Sequence, residues 1–182
     1  MKKIILLILC FVVLLSGCEN LPKAEPYYTE TRDDIVLNTQ FDYYFTDEGS
    51  IRCTWVNNGS EKFSFHDVFE LHVLGNDGEW YVVSKNDEVS FNTDYSHGID
   101  PESESNARYN ISVYTDELEN GKNYRISTYF YDADGNHYQI YSEFICDDKL
   151  AEEEMAEASN GLFDRRDDPS SDGTLQILEK EG

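Results

Sequence analysis

The residues Tyr124-Arg125-Ile126-Ser127-Thr128-Tyr129-Phe130 and Tyr138-Gln139-Ile140-Tyr141-Ser142-Glu143-Phe144-Ile145-Cys146, separated by a turn at Asp134-Gly135-Asn136, decide the fold. In the first run Tyr124, Ile126, Thr128 and Phe130 share one face and alternate with Arg125, Ser127 and Tyr129. A period of two is that of a β-strand with one buried side. β-Branched and aromatic residues suit such a pleated surface. Asp-Gly-Asn is hairpin chemistry, because these residues tolerate the left-handed backbone of a tight turn. Together the two runs predict an antiparallel hairpin that closes the domain.

The same pattern extends toward the N-terminus. Ile51-Arg52-Cys53-Thr54-Trp55-Val56 alternates and ends at the turn residues Asn57-Asn58-Gly59-Ser60. Phe69 to Val73 alternates again, and Asn76-Asp77-Gly78 leads into Trp80-Tyr81-Val82-Val83 as a second hairpin. Ile35 to Phe45 reads as a first strand region, Val89-Ser90-Phe91 as a short edge strand, Ile99 to Ser103 as a loop and Ala107 to Tyr114 as a further strand. Seven or eight short strands with frequent turn signals predict an all-β sandwich or barrel over residues 34–147. Residues 18–33 contain Pro22 and Pro26 without periodicity and read as a flexible tether. From Asp147 to Gly182 there are twelve acidic and four basic residues, so 148–182 reads as a largely disordered acidic tail in which Lys149 to Ala158 could form a short helix. Neither 19–33 nor 159–182 shows the periodicity needed to bury apolar surface, so both are expected to be dispensable for folding.

Three stretches carry a family resemblance. The strand ending in Asn57-Asn58-Gly59-Ser60, the hairpin Asp77-Gly78-Glu79-Trp80-Tyr81-Val82-Val83 and the run Leu118-Glu119-Asn120-Gly121-Lys122-Asn123-Tyr124-Arg125-Ile126, followed by Tyr141-Ser142-Glu143-Phe144, occur in this order. The chain resembles the immunoglobulin-like domain of lipoproteins and surface proteins of Gram-positive bacteria over about Asp34 to Asp147. It has one residue more between Gly121 and Tyr124 than the family pattern. The resemblance implies an immunoglobulin-like antiparallel β-sandwich used for extracellular binding or spacing, with no shared catalytic residues. Tyr124 follows a glycine turn and opens a late strand, the position of a tyrosine corner, where a buried phenol bonds back to the preceding turn. Trp80 and Trp55 are the natural large core residues.

The N-terminus carries a different kind of signal. Lys2 and Lys3 precede an unbroken apolar run of twelve residues, Ile4 to Leu15. A span of the bilayer core takes roughly 20 apolar residues, so the run has the length of a secretory signal instead. Leu15-Ser16-Gly17-Cys18 resembles the lipobox of bacterial lipoproteins. Residues 1–17 are thus expected to be a signal peptide, helical in its apolar part. Cys18 is expected to become the lipidated N-terminus, holding the protein to the membrane on its extracytoplasmic face. Cys10 leaves with the signal.

Removing Lys2 and Lys3 takes the formal charge from −23 to −25. A chain this acidic is a poor ligand for nucleic acid and is unsuited to lying on anionic lipid. Cys53 and Cys146 both alternate with polar neighbours and face inward. In an exported protein they are a candidate disulfide or, alternatively, two buried free thiols. Antibody-type domains bridge their second and sixth strands, but Ile126 occupies the later position here, so a bridge would join the second strand to the last.

Asp132-Ala133-Asp134-Gly135-Asn136 lacks the bidentate glutamate of a calcium loop and reads as a hairpin turn. The four histidines His66, His72, His97 and His137 are scattered without metal-ligand spacing. No nucleophile, base or cofactor motif emerges, and the expectation is a non-enzymatic module binding an extracellular protein or glycan. An inhibitor or sensor of an extracellular enzyme is the alternative. Carbohydrate binding would call for a planar row of exposed aromatics such as Tyr27, Tyr28, Tyr43 and Tyr44.

The lipidation reading has a direct test. Cys18→Ser should move the protein from the membrane to the aqueous fraction or leave it unprocessed. Unchanged attachment and mobility in that variant would refute it.

Overall fold

Alternation along the chain sorts the apolar residues into two facing layers. A computed structural model describes residues 21–86, 91, 95–114 and 118–166, with backbone only from 160 onward. The signal peptide, Cys18, the edge strand expected at Val89-Ser90-Phe91 (Phe91 apart) and the tail beyond 166 lie outside the described residues.

The smaller sheet has the order β1 (Ile35–Thr39), β3 (Ile51–Asn57), β8 (Ser103–Tyr109), all antiparallel. The larger is built on β9 (Lys122–Tyr131) and β10 (His137–Cys146), paired in antiparallel register over ten residues each. Strand β2 (Tyr43–Tyr44) adds in parallel to β10. On the other side of β9, β4 (Phe63–Phe65) pairs with its C-terminal end and β5 (Glu70–Leu74) with its N-terminal half. Strands β7 (His97–Ile99) and β6 (Trp80–Val82) extend these two outward. The architecture is an all-β immunoglobulin-like sandwich.

The first strand region is in fact two strands in different sheets, because the chain crosses the sandwich edge at Gln40–Asp42. The loop expected at Ile99 to Ser103 is present as a tight turn at residues 100–102 between the end of β7 and the start of β8, while residues 111–113, expected to be strand, form a 3₁₀ turn.

Trp55 lies at the centre, wholly buried, stacked on Phe65 at 4.5 Å and edge-on to Phe130 at 6.0 Å. Trp80 does not join it. Strand β6 lies at an edge with no opposing layer, so Trp80 is only half-buried, and its indole lies 4.4 Å from the Arg125 guanidinium instead. Cys53 on β3 and Cys146 on β10 are buried in opposite sheets as free thiols, so the bridge that the sequence allowed is not formed. Burial pushes both thiols up to about 12, which keeps them protonated and poorly nucleophilic.

The acidic tail begins as helix α1 (Asp148–Arg166), longer than the helix expected at 149–158. Asp147 caps it by accepting from Lys149 N and Leu150 N at 3.1 Å each. Its first turns are docked. Asp148 accepts from Thr46 N at 2.7 Å, Glu154 accepts from Asp42 N and Tyr43 N, and Ala151 is buried.

Tyr124 occupies the corner. Its ring is 3% exposed and stacks on Phe144 at 5.7 Å, and its hydroxyl accepts from Glu119 N at 2.8 Å. Gly121, at φ +78°, makes the turn between them. Tyr124→Phe should cost about 0.5–1.5 kcal/mol, the net value of the bond to the Glu119 amide, since Glu119 itself is exposed. Tyr124→Ala also opens a cavity and should cost about 3–5 kcal/mol. Denaturant unfolding measures both, and a loss under about 0.5 kcal/mol for the alanine variant, an ordinary surface effect, would remove Tyr124 as an anchor.

Candidate functional site

Outward-facing residues of the larger sheet are normally free to meet solvent, yet Ser127, Gln139 and His72 on that face are buried. The cover is residues 22–30, the stretch expected to be a flexible tether. These residues form a strap across the outer face.

The strap starts at the β6 edge, where Val82 N donates to Pro22 O at 2.9 Å and Ala24 N to Trp80 O at 2.8 Å. It crosses to β10, where Tyr27 N and Tyr28 N donate to Gln139 Oε1 and Gln139 N donates to Glu30 O. Gln139 Nε2 is satisfied in turn by Ser127 Oγ and Thr128 O. At the far end Arg32 makes a bidentate pair with Asp34 at 2.7 and 2.9 Å, reaches Glu61 at 3.0 Å, and covers the Phe63 ring at 4.6 Å. Proline content and lack of periodicity reflect an irregular segment held by polar contacts, which pattern reading cannot distinguish from a free one.

Under the strap runs a polar chain. Arg125 Nε donates to His72 Nδ1 at 3.1 Å, so His72 Nε2 is the ring nitrogen that donates to Glu70 Oε2 at 3.0 Å. The Tyr27 hydroxyl also bonds to Glu70. Burial opposes ionisation of Glu70, but the bonds from His72 and Tyr27 outweigh it and hold the carboxyl below the usual carboxylate range. Histidine between a carboxylate and a cation looks catalytic in outline. Here it is sealed beneath the strap, with His72 fully buried, and serves to fasten Tyr27.

Beyond the strap, at the Tyr131 end of β9, rings gather on the surface. Tyr131 and His137 are cross-strand partners with ring centroids 5.5 Å apart. Tyr28 stacks on His137 at 4.7 Å, His66 stacks on Tyr131 at 5.4 Å, and Tyr129 meets Tyr28 edge-on at 5.2 Å. Tyr27, 49% exposed, borders the group. None of these rings belongs to the core, and all are at least partly solvent-facing. A contiguous group of partly exposed aromatic and imidazole rings of this kind is a candidate binding surface.

The row Tyr27, Tyr28, Tyr43 and Tyr44 does not form. Tyr44 is 4% exposed, inside the core, and Tyr43 stands on β2 rather than on the strap. The histidines that looked scattered contribute two members, His66 and His137, to one patch. Among the described residues no group of three or more His, Cys, Asp or Glu is gathered as for a metal ion.

A family model of the bacterial Ig-like domain matches residues 31–145. The chain belongs to the bacterial Ig-like domain family. The matched region of this Ig-like domain begins at the end of the strap, so most of the strap and α1 lie outside it. No curated protein sequence matches the chain. Among solved structures it is similar to the structural genomics target SoR45, at 12% identity and TM-score 0.44 over 65% of this chain and 90% of that one. It is also similar to the sporulation control protein Spo0M from Bacillus subtilis, at 13% and 0.36 over 63% and 49%. A third is the archaellum periplasmic stator protein FlaG from Sulfolobus acidocaldarius, at 16% and 0.33 over 59% and 98%. At these identities the likeness extends to the fold alone.

The strap reverses the expectation that residues 19–33 are dispensable. A chain beginning at Asp33 loses the five strap hydrogen bonds described above and uncovers the polar chain. At about 0.5–1.5 kcal/mol net for each bond, its unfolding free energy should fall by about 2.5–7.5 kcal/mol in denaturant melts. A midpoint equal to that of the chain beginning at Leu21 would show the strap to be energetically idle.

Proposed function

We propose that this protein is a membrane-anchored, extracytoplasmic, non-enzymatic binding or adaptor module whose partner docks on the aromatic and imidazole patch of the larger sheet. The patch carries the reading. Tyrosine rings supply large contact area at low entropic cost, and they are enriched at protein interfaces. Supporting it are the signal and lipobox pattern ending at Cys18 and membership of the bacterial Ig-like family.

On this reading only Cys18-Glu19-Asn20-Leu21 separate the lipid from the strap, at most about 14 Å of chain. The domain stands close to the bilayer. Its strap leaves the sheet near Trp80, beside Arg125, whereas the patch lies six residues further along β9, about 20 Å away. Anchor and docking surface thus sit at opposite ends of one strand pair, which leaves the docking end clear of the membrane. The strong negative charge keeps the remaining surface from adhering to anionic lipid.

A photocrosslinking side chain placed at Tyr131 in the anchored protein, in the cells that make it, tests this. A discrete higher-mass adduct should form there and not from the exposed position Glu152 on α1. Equal yields at the two positions would mean that the patch is not the docking surface.

A further inference from the structure

Arg52 and Arg108 face one another across β3 and β8, directly opposite in the antiparallel register, and both are exposed. Like charges placed directly across a sheet destabilise it. The chain has 37 acidic residues against 14 basic ones, so carboxylates to neutralise the pair were plentiful. Arg32 pairs with Asp34 and Glu61, and Arg125 lies against Trp80 and Tyr141 and bonds to His72. Among the described residues Arg52 and Arg108 form no ion pair. Arg108 is instead held in place by a 2.7 Å bond from its Nε to Ser50 Oγ.

Two concavities meet at this pair. One, of about 250 Å³, runs between the β2 loop and α1 and is bordered by Phe41, Tyr43, Ser50 and Met155 as well as both arginines. Glu48 also borders it without reaching either guanidinium. The other, of about 610 Å³, opens over Thr54 and Asn106 on the outer face of the smaller sheet. Gln40 lines both.

We propose that this cleft binds a phosphate monoester, with the phosphate between Arg52 and Arg108 and the organic group against Tyr43, Phe41 and Met155. A single guanidinium fork satisfies a carboxylate, whereas two forks on neighbouring strands present enough donors for the three or four oxygens of a tetrahedral anion. The smaller concavity suits a phosphate and a short organic group, being below the ~300–1,000 Å³ of sites for drug-sized ligands. The chain's net charge repels polyanions and anionic bilayers, so the ester is a soluble small molecule. The two arginines are on the opposite sheet from the aromatic patch, and the site stands or falls independently of that patch.

The exported chain carrying Cys18→Ser, titrated with glycerol 3-phosphate and with inorganic phosphate by calorimetry and amide NMR, tests the proposal. Both probes should shift the Gln40, Tyr43 and Ser50 amides. Arg52→Gln and Arg108→Gln should each weaken binding by about tenfold, the loss of one charge-assisted contact, and the double variant should not bind, with the remaining amide spectrum unchanged. Three results would overturn it: no shift at those amides, binding retained by the double variant, or acetate binding as tightly as phosphate. Arginine-dependent capture by vesicles of phosphatidic acid in phosphatidylcholine, without binding of either soluble probe, would overturn the soluble ester in favour of a lipid headgroup.

Discussion

The ten-residue register between β9 and β10 is the constraint on which the other elements hang. Strand β9 offers its free edge to β4 and β5 in succession, and β10 offers its own to β2 and, at Gln139, to the strap. The inward side of the ladder delivers Tyr124, Ile126, Phe130 and Phe144 to the core, and the outward side delivers Arg125, Tyr129, Tyr131 and His137 to the surface. A slip of one residue would exchange these sets, because the side-chain period of a strand is two. Both the core and the aromatic patch therefore depend on one pairing. Tyr124, tied to Glu119 at the start of β9, and the Asp132 side chain, which accepts from Asp134 N and Asn136 N in the opposite turn, fix that pairing at its two ends.

The two faces of the larger sheet are stabilised by different physics. Its inner face packs rings against rings around Trp55. The outer face buries Gln139, Ser127 and His72, which would be costly without partners, and the strap and Arg125 supply those partners. A polar seal of this kind is selective about geometry in a way an apolar contact is not. Gln139 binds the strap through side chain and backbone together, which sets the strap's position along β10.

Most of the strand content was legible in the sequence, because half-buried strands write a period of two. An all-β sandwich or barrel, Trp55 in the core and the corner at Tyr124 come from that pattern and from turn chemistry, whereas the immunoglobulin-like reading rests on the resemblance of three stretches to that family. Strands β4 and β7 were not legible, since three residues are too few to show a period. Trp80 misled because size alone suggested burial, while an edge strand has no second layer to provide it. The strap left no apolar signature, because its contacts are backbone amides and one glutamine. The patch was hidden for another reason. His66 and His137 are separated by 71 positions in the sequence, Tyr129 looked like the solvent side of an ordinary strand, and Tyr131 lay beyond the run read as strand. Arg52 and Arg108 likewise become neighbours only once the β3–β8 register is known.

The strap also gives the molecule a mechanical character. A pull on the N-terminal end is borne first by the bonds from Val82 to Pro22 and from Ala24 to Trp80, at the outermost strand of the larger sheet. Bonds loaded at one end of a row yield in sequence, like a zipper, while the β9–β10 ladder carries little of the force until the row is gone. Detaching residues 22–30 would pay out about 30 Å of chain, halted by the Arg32–Asp34–Glu61 cluster and the β1–β3 pairing. The strap is in this sense a reserve of length, stored flat against the sheet, that would let the domain yield to tension without losing its fold.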